Sequence, residues 1–458
     1  MLSGPRAVAS SLVAWTQTRP TTEDGGDRSR TTNRWWLLWS CLIAVAVLVG
    51  TLISGNTLRH QQAFSVLDES AHYDYVLDLS HGHLPRSGDH LSQETMRAVS
   101  CLGAYNLPPH GCRVTTRNAA NFPAGGYSYE AVDQPPVGYL PYLLTVRSDE
   151  SPHAALVSAR WGGFIWSVIA AIGLVSAGWL AALSLLELCA ILSISLLGPT
   201  AVNVSAVVTN DSSAVAAGAF VLVTYLVARR LNRPLLVIGL LVGALVGLMK
   251  GLFVVAPFTL LVGVILADIA ARRRLTKEAV FSRYGCVLAM TVGAIVGYVA
   301  WLLLVGARET VSTSVVLHAL QGFSTTGHVQ PSTILTGIQS ELSGLVAWVP
   351  APLFWVWNLA VYGSLAGMVV LQGPVGRPQL RAMAAAVFVG ILALAVAFPV
   401  FNFAEGHYNF AVPTRYALPL LPIIGYVVAR AMRGRGLLLV GVVLPALAVF
   451  DQVHLNQF

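Results

Sequence analysis

Charge is what this chain has least of. Asp, Glu, Lys and Arg make up 11% of its 458 residues, while hydrophobic residues make up 55%. A soluble globular domain carries roughly 25% charged residues, so too few are present here to coat a water-facing surface. Strict alternation of apolar and polar residues is also missing, which excludes a β-barrel. No clear internal repeat of the kind kept by inverted-topology transporters is visible. Cysteine is scarce, with five in all. Cys41, Cys189 and Cys286 fall in apolar runs and read as core residues. Cys101 and Cys112 share a polar loop, and a disulfide is expected if that loop is exported. No second cysteine pair accompanies them, which argues against zinc.

What remains is long apolar runs. Repeated stretches of about 20 apolar residues predict an all-α polytopic membrane protein. The net charge of +7 does not point to nucleic acid, because the basic residues sit in short clusters between the runs, as topology determinants do. Residues 1–33 are polar and too poor in apolar groups to bury a core, so a disordered cytoplasmic tail is expected. Arg28, Arg30 and Arg34 precede a first span at about 35–54, with Trp35 and Trp36 as interfacial anchors. Later spans are predicted at about 153–178, 181–200, 211–228, 235–249, 251–270, 284–306, 345–370, 380–400, 413–430 and 436–452, about eleven in total within a transmembrane domain of 34–458. The Arg229-Arg230-Arg233, Arg272-to-Arg283, Arg377-Arg381 and Arg430-to-Arg435 clusters mark the cytoplasmic loops.

By that topology the 55–150 stretch is a large first extracytoplasmic loop, and 307–344 is a second. The first carries ten acids against six Lys or Arg. Its opening, Ser65 to Ser80, reads as an amphipathic juxtamembrane helix, with Val66, Ala71, Tyr73 and Leu77 toward lipid and Asp68, Glu69, His72 and Asp78 toward water or a cavity. Acids this close to a bilayer are costly to keep without a task. Asp68 is the candidate general base, with Glu69 and His72 beside it; the plainer reading of Asp68 is a helix N-terminal cap. Lys250 interrupts two apolar stretches, and Arg415 opens a late span. Cations at that depth suit a phosphate, though snorkelling would explain Lys250, and a structural ion pair with Glu405 would explain Arg415. Asn210-Asp211-Ser212 reads as a helix cap whose free amides would tolerate an anion nearby. The Gln134-Pro135-Pro136 turn leads through Tyr139 into the next span, and His407 and Tyr416 flank Arg415.

Asp68-Glu69 with His72 after the first span, Gln134-Pro-Pro with Tyr139, Lys250, and Arg415-Tyr416 with Pro419 together resemble the polytopic GT-C glycosyltransferases. Protein O-mannosyltransferases and a group of uncharacterised bacterial membrane proteins look similar at these positions. The resemblance implies a GT-C-like fold in a bacterial cytoplasmic membrane, with an extracytoplasmic site. It implies an inverting transfer of sugar from a polyprenyl-phosphate donor to a glycan, lipid or protein acceptor. Asp68 would be the base, Lys250 and Arg415 the phosphate ligands, and Gln134, Tyr139, Asn210, Asp211, Glu405, His407 and Tyr416 the substrate contacts. The missing Gly-rich nucleotide loop fits a lipid-linked donor. A divalent cation stays open, with Asp68, Glu69 and His72 as oxygen and nitrogen donors. A transporter or flippase of a lipid-linked saccharide, or a non-catalytic scaffold for envelope assembly, are the alternatives.

Overall fold

The structure, a computed structural model, describes residues 63–65, 68–86, 89–104, 108–112, 134–147, 150–271, 277–306, 329–344, 351–370, 378–406, 413–432, 434–444 and 446. The chain divides into Met1–Ala44 and Val45–Phe458, and every described residue belongs to the second unit. The expected tail, the first span and much of the 307–344 loop therefore lie outside the described residues.

Within them the architecture is helical. Short helices α1 (Glu69–Ser80) and α2 (Gln93–Leu102) come first, then a 3-10 helix, Pro136–Leu144. The apolar helices follow: α3 (Pro152–Leu180), α4 (Leu185–Leu196), α5 (Pro199–Ser205), α6 (Ala214–Leu231), α7 (Leu236–Met249), α8 (Val255–Ala270) and α9 (Lys277–Gly306). Then come α10 (Pro331–Gly344), α11 (Ala351–Val370), α12 (Pro378–Gly406), a 3-10 helix at Thr414–Leu420, α13 (Leu421–Ala431) and α14 (Arg435–Leu438). Among the described residues the one β-type pairing is an isolated bridge between Phe64 and Ala104. Among the described residues five helices are long and apolar enough to cross a membrane, and others, including Leu236–Met249, are apolar but shorter. The chain is thus a multi-pass membrane protein.

Local signals explain several boundaries. Ser151 caps α3 by accepting from the Ala154 amide, with Pro152 in the first turn. Ser184 and Glu187 form a capping box at α4. The predicted 181–200 span breaks because Gly198-Pro199 stops one helix and starts the next. The predicted 413–430 span opens as a 3-10 helix around Pro419.

The interior is built on α6: in the span that it forms with the preceding turn, Asn210–Leu231, 83% of the apolar window is buried, against 39% for α9. The α7–α9 contact is a small-residue seam. Gly239, Gly243 and Gly247 meet Cys286, Met290 and Ala294 in turn, and Gly251 meets Tyr298. Four-residue steps on one helix match four-residue steps on the other in the same direction, so α7 and α9 run parallel. Any Cβ at Gly243 or Gly247 would overlap a carbonyl oxygen of α9. Such close approach lets dispersion and backbone contact hold helices where no hydrophobic effect does.

The two ends of the bundle differ. At one end Arg230 stacks over Trp179 at 4.7 Å, Asp268 accepts from Arg283 at 3.0 Å, and Arg430 pairs with Glu187 at 3.4 Å. The other end gathers the start of the Asn210–Leu231 span, the end of α7 and the start of Thr414–Leu420. The described Pro136–Leu144 helix packs there.

The structure corrects the reading of residues 65–80. The helix begins at Glu69 rather than Ser65 and does not lie on a surface. Ala71, Tyr73 and Leu77, expected to face lipid, are buried in protein, and so are Glu69 and His72, expected to face water. The Pro136–Leu144 helix and α2 cover it: Tyr75 packs on Tyr139 at 4.5 Å, and Asp74 accepts from the Ser92 amide and hydroxyl at the start of α2. Val66 lies outside the described residues. Cys101 and Cys112, at the end of α2 and beyond, are joined by a disulfide.

Candidate functional site

Asp211 is the hub. Thr209, not Asn210 or Asp211, caps this turn, its hydroxyl accepting from the Asp211 amide. Asn210 and Asp211 therefore sit inside the first turn with their side chains free for other partners. This corrects the expectation that Asn210-Asp211-Ser212 itself does the capping. The Asp211 carboxylate is 1% exposed; one oxygen accepts from Lys250 at 2.5 Å and the other from Arg415 Nε at 2.8 Å. Lys250 and Arg415 thus reach one anion, and it is a side chain of the protein.

Lys250 occupies an extended break between α7 and the next turn, with φ −166°. It is 5% exposed, lies 3.4 Å from Asn210 Oδ1, and its ammonium sits 4.0 Å above the Tyr416 ring. A cation so enclosed is not snorkelling; the carboxylate, the amide and the aromatic face replace its hydration. Arg415, also over Tyr416 at 5.3 Å, extends its Nη2 to Asp68 at 3.4 Å. The Asn210 amide donates to Gln134 Oε1 at 2.8 Å, and the Gln134 carbonyl accepts from Tyr75.

Asp68 stands at the mouth of this chain, its side chain 34% exposed against 16% for Arg415 and 6% for Lys250. It holds a left-handed backbone, φ 59° and ψ 25°, at the N-cap position of α1, yet its side chain makes no capping bond. That conformation costs an L-residue about 1–2 kcal/mol. The carboxylate turns to Arg415 instead, so Asp68 is the N-cap residue, as the plainer reading expects, but its side chain makes no cap bond. Two carboxylates and two cations balance, with the acid–guanidinium pair toward solvent and the acid–ammonium pair sealed beneath.

His72 and Tyr139 form the flank. His72 Nδ1 lies 2.6 Å from the Tyr139 hydroxyl. Burial, aided by the Lys250 charge, pulls the imidazole down from its usual 6.5 to about 4, so it is neutral at pH 7. Burial also pushes the Tyr139 phenol well above its usual range, which keeps its proton available for hydrogen bonding. Tyr142 supports the turn from below. Its hydroxyl lies within 2.9 Å of the Val207 and Thr209 carbonyls and 2.8 Å of Ser212 Oγ, and accepts from the Thr209 amide at 3.2 Å.

Glu69, grouped with Asp68 from sequence, points the opposite way. Arg160 Nε and Nη2 donate to its two oxygens at 2.7 Å each, and both side chains are fully buried. Glu69 is therefore not open to a substrate, and Asp68, Glu69 and His72 do not form one ligand set. Among the described residues no group of three or more His, Cys, Asp or Glu is arranged to hold a metal. Glu405 falls in the last turn of α12, but its side chain, like all of His407, lies outside the described residues.

Arg160 is the functional candidate that the sequence reading passed over. Its signal was present: an arginine inside the apolar run 152–180 needs a buried acid. Comparison with protein families, with curated proteins and with solved structures finds no match to this chain.

Proposed function

We propose that the chain is an inverting glycosyltransferase of GT-C type, using a polyprenyl-phosphate sugar at the extracytoplasmic face of a bacterial cytoplasmic membrane. The observation that supports this reading is the half-open Asp68–Arg415 pair resting on the sealed Asp211–Lys250 pair at the ends of apolar helices. A base and a phosphate ligand lie side by side where a lipid-borne group and a polar acceptor can both arrive.

In this mechanism the donor phosphate engages Arg415 and competes with Asp68 for the guanidinium. The 3.4 Å contact is long for a charge-assisted bond, so little is lost when it breaks. Asp68, released from its cation, accepts the proton of the acceptor hydroxyl. That oxygen bonds to the anomeric carbon as the bond from carbon to phosphate oxygen breaks, and the electron pair leaves on the phosphate. Arg415, backed by the Lys250 charge, stabilises that developing anion. Preorganised charge of this kind lowers a barrier by about 3–4 kcal/mol. Asp211 keeps both cations in place without meeting the substrate. Gln134 and Tyr416 line the approach, and His72 with Tyr139 supplies neutral hydrogen-bonding groups.

The test is transfer of labelled sugar from polyprenyl-phosphate donors by the purified protein in vesicles. Asp68→Asn should reduce kcat about 10²- to 10⁴-fold while the protein remains monodisperse. Near-wild-type transfer by Asp68→Asn refutes the assignment. Movement of the lipid-linked sugar across the vesicle without a new glycosidic bond would replace the reading with transport.

A further inference from the structure

One buried carboxylate holds both acids of the candidate site. Glu69 accepts four hydrogen bonds: two from Arg160, one from the Ser65 amide at 2.7 Å and one from the Val208 amide at 2.9 Å. Arg160 Nη2 also donates to the Ala63 carbonyl at 2.9 Å. Ser65 and Glu69 bracket Asp68. Val208 directly precedes Thr209, the cap from which Asp211 is suspended. Glu69 and Val208 are 139 residues apart in sequence. The fork of Arg160 is anchored on α3, a long membrane-spanning helix, so the whole assembly hangs from a rigid element.

We propose that the Glu69–Arg160 pair is a positioning clamp that sets the distance between Asp68 and Asp211, and so allows Arg415 to bridge them. The geometry supports this in three ways. Asp68 sits in a left-handed conformation that it would leave if untethered, and the bonds at Ser65 and Glu69 hold the chain on both sides of it. The 207–209 chain is irregular between α5 and the Asn210 turn, so the Val208 bond and the Tyr142 hydroxyl fix its backbone. The four hydrogen bonds that Glu69 accepts are all spent on these tasks, which leaves it no part in the chemistry. The pair is a positioning device, and its catalytic consequence rests on the transfer reaction proposed above.

Hydrogen exchange of the full chain in lipid nanodiscs tests the clamp without needing turnover. Glu69→Gln should speed amide exchange at least tenfold in both the 63–72 and 205–213 segments, while α13 stays protected. Because an unpaired buried arginine can unfold the protein, the second variant replaces both partners with apolar residues, Glu69→Leu with Arg160→Met. It removes the charges but also the acceptors for Ser65 and Val208, so both segments should loosen in a folded protein. Arg160→Lys keeps the charge and loses the fork, and should behave like Glu69→Gln. In the transfer assay the clamp variants should lower kcat by about 100-fold with donor KM within a few-fold of wild type. Wild-type protection of the 205–213 segment in the Leu/Met pair overturns the proposal, as does full rescue by Arg160→Lys. Collapse of the whole fold in all variants overturns it too, because a clamp acts locally. Coupled loosening together with full activity of Asp68→Asn would keep the clamp and discard the transferase reading.

Discussion

Asp211→Asn isolates the energetics of the sealed pair. The substitution keeps the shape of the side chain and removes the charge that neutralises Lys250, which is 5% exposed. What stays near the ammonium is Asn210 Oδ1 at 3.4 Å and the Tyr416 face at 4.0 Å. Neither supplies a full counter-charge. Removing one partner of a buried ion pair costs about 3–5 kcal/mol, mostly the penalty of the stranded ion. Arg415 adds less, because it is part exposed and retains Asp68. Lys250→Met removes the cation instead and leaves Asp211 with Arg415 at 2.8 Å, so a loss of about 1–2 kcal/mol is expected. The double variant should resemble Lys250→Met alone. The two single losses then fail to add, by about 3–5 kcal/mol, the whole of the Asp211→Asn loss, as expected for groups in direct contact. Denaturant titration in micelles, followed by tryptophan fluorescence, measures all three variants. A loss below about 1 kcal/mol for Asp211→Asn, or additive losses in the double variant, would show that water or another group already neutralises Lys250, and the sealed-pair argument would fail.

Acid should destabilise the protein through His72. Its folded pKa of about 4 lies below the unfolded 6.5, so the unfolded chain takes up the proton first as pH falls. The stabilising contribution is complete above pH 6.5 and is lost toward pH 4, by at most about 3 kcal/mol; His72→Gln should flatten a melting profile across that window. Asp78 acts in the opposite sense, because burial raises its carboxyl to about 6. Its contribution is present in acid and disappears as pH rises through 6, so Asp78→Asn should leave the acid loss steeper. In the α7–α9 seam, Gly243→Leu should cost more than about 3 kcal/mol or abolish membrane-extracted folded protein. Leu241→Ala, on the exposed side of the same helix, should change thermal stability little. Equal tolerance of the two would contradict the close approach at Met290.

Much of the site was legible because charge is so rare in this chain. Asp68, Lys250 and Arg415 each interrupt or border an apolar run, and the cost of putting them there flagged each one, while Asp211 read as part of a helix cap. Their mutual pairing was not legible. Asp211 and Arg415 are 204 residues apart, and nothing in either local sequence names the other. Glu69 was grouped with Asp68 because they are neighbours, yet helix α1 starts between them and sends the two side chains to opposite partners. The burial of α1 was hidden for a related reason. A one-helix pattern cannot reveal that the tyrosines of 136–144 and the start of α2 will cover its apolar side. The positive φ of Asp68 and the cap at Thr209 are local facts, but they depend on tertiary bonds to Arg415, Tyr142 and Val208. The long apolar helices were the easiest part, since their composition alone determines them.

The parallel register of α7 with α9 also sets how deep the charges lie. Gly251, next to Lys250, sits against Tyr298, and α9 then continues to Gly306. At 1.5 Å per residue that extension rises about 12 Å past the level of the lysine. Leu303 and Leu304 along it are 71% and 50% exposed, as lipid-facing residues are. On the α9 side, therefore, the level of Lys250 lies below the end of a helix whose exposed residues are still hydrocarbon-compatible. A bilayer matched to the end of α9 must thin to bring its headgroups to the level of Lys250, at a cost of a fraction of a kcal/mol per Å. Membrane thickness thus becomes a control variable for this protein. Short-chain lipids should bring headgroups down to Arg415, and long-chain, sterol-like stiff bilayers should hold them away.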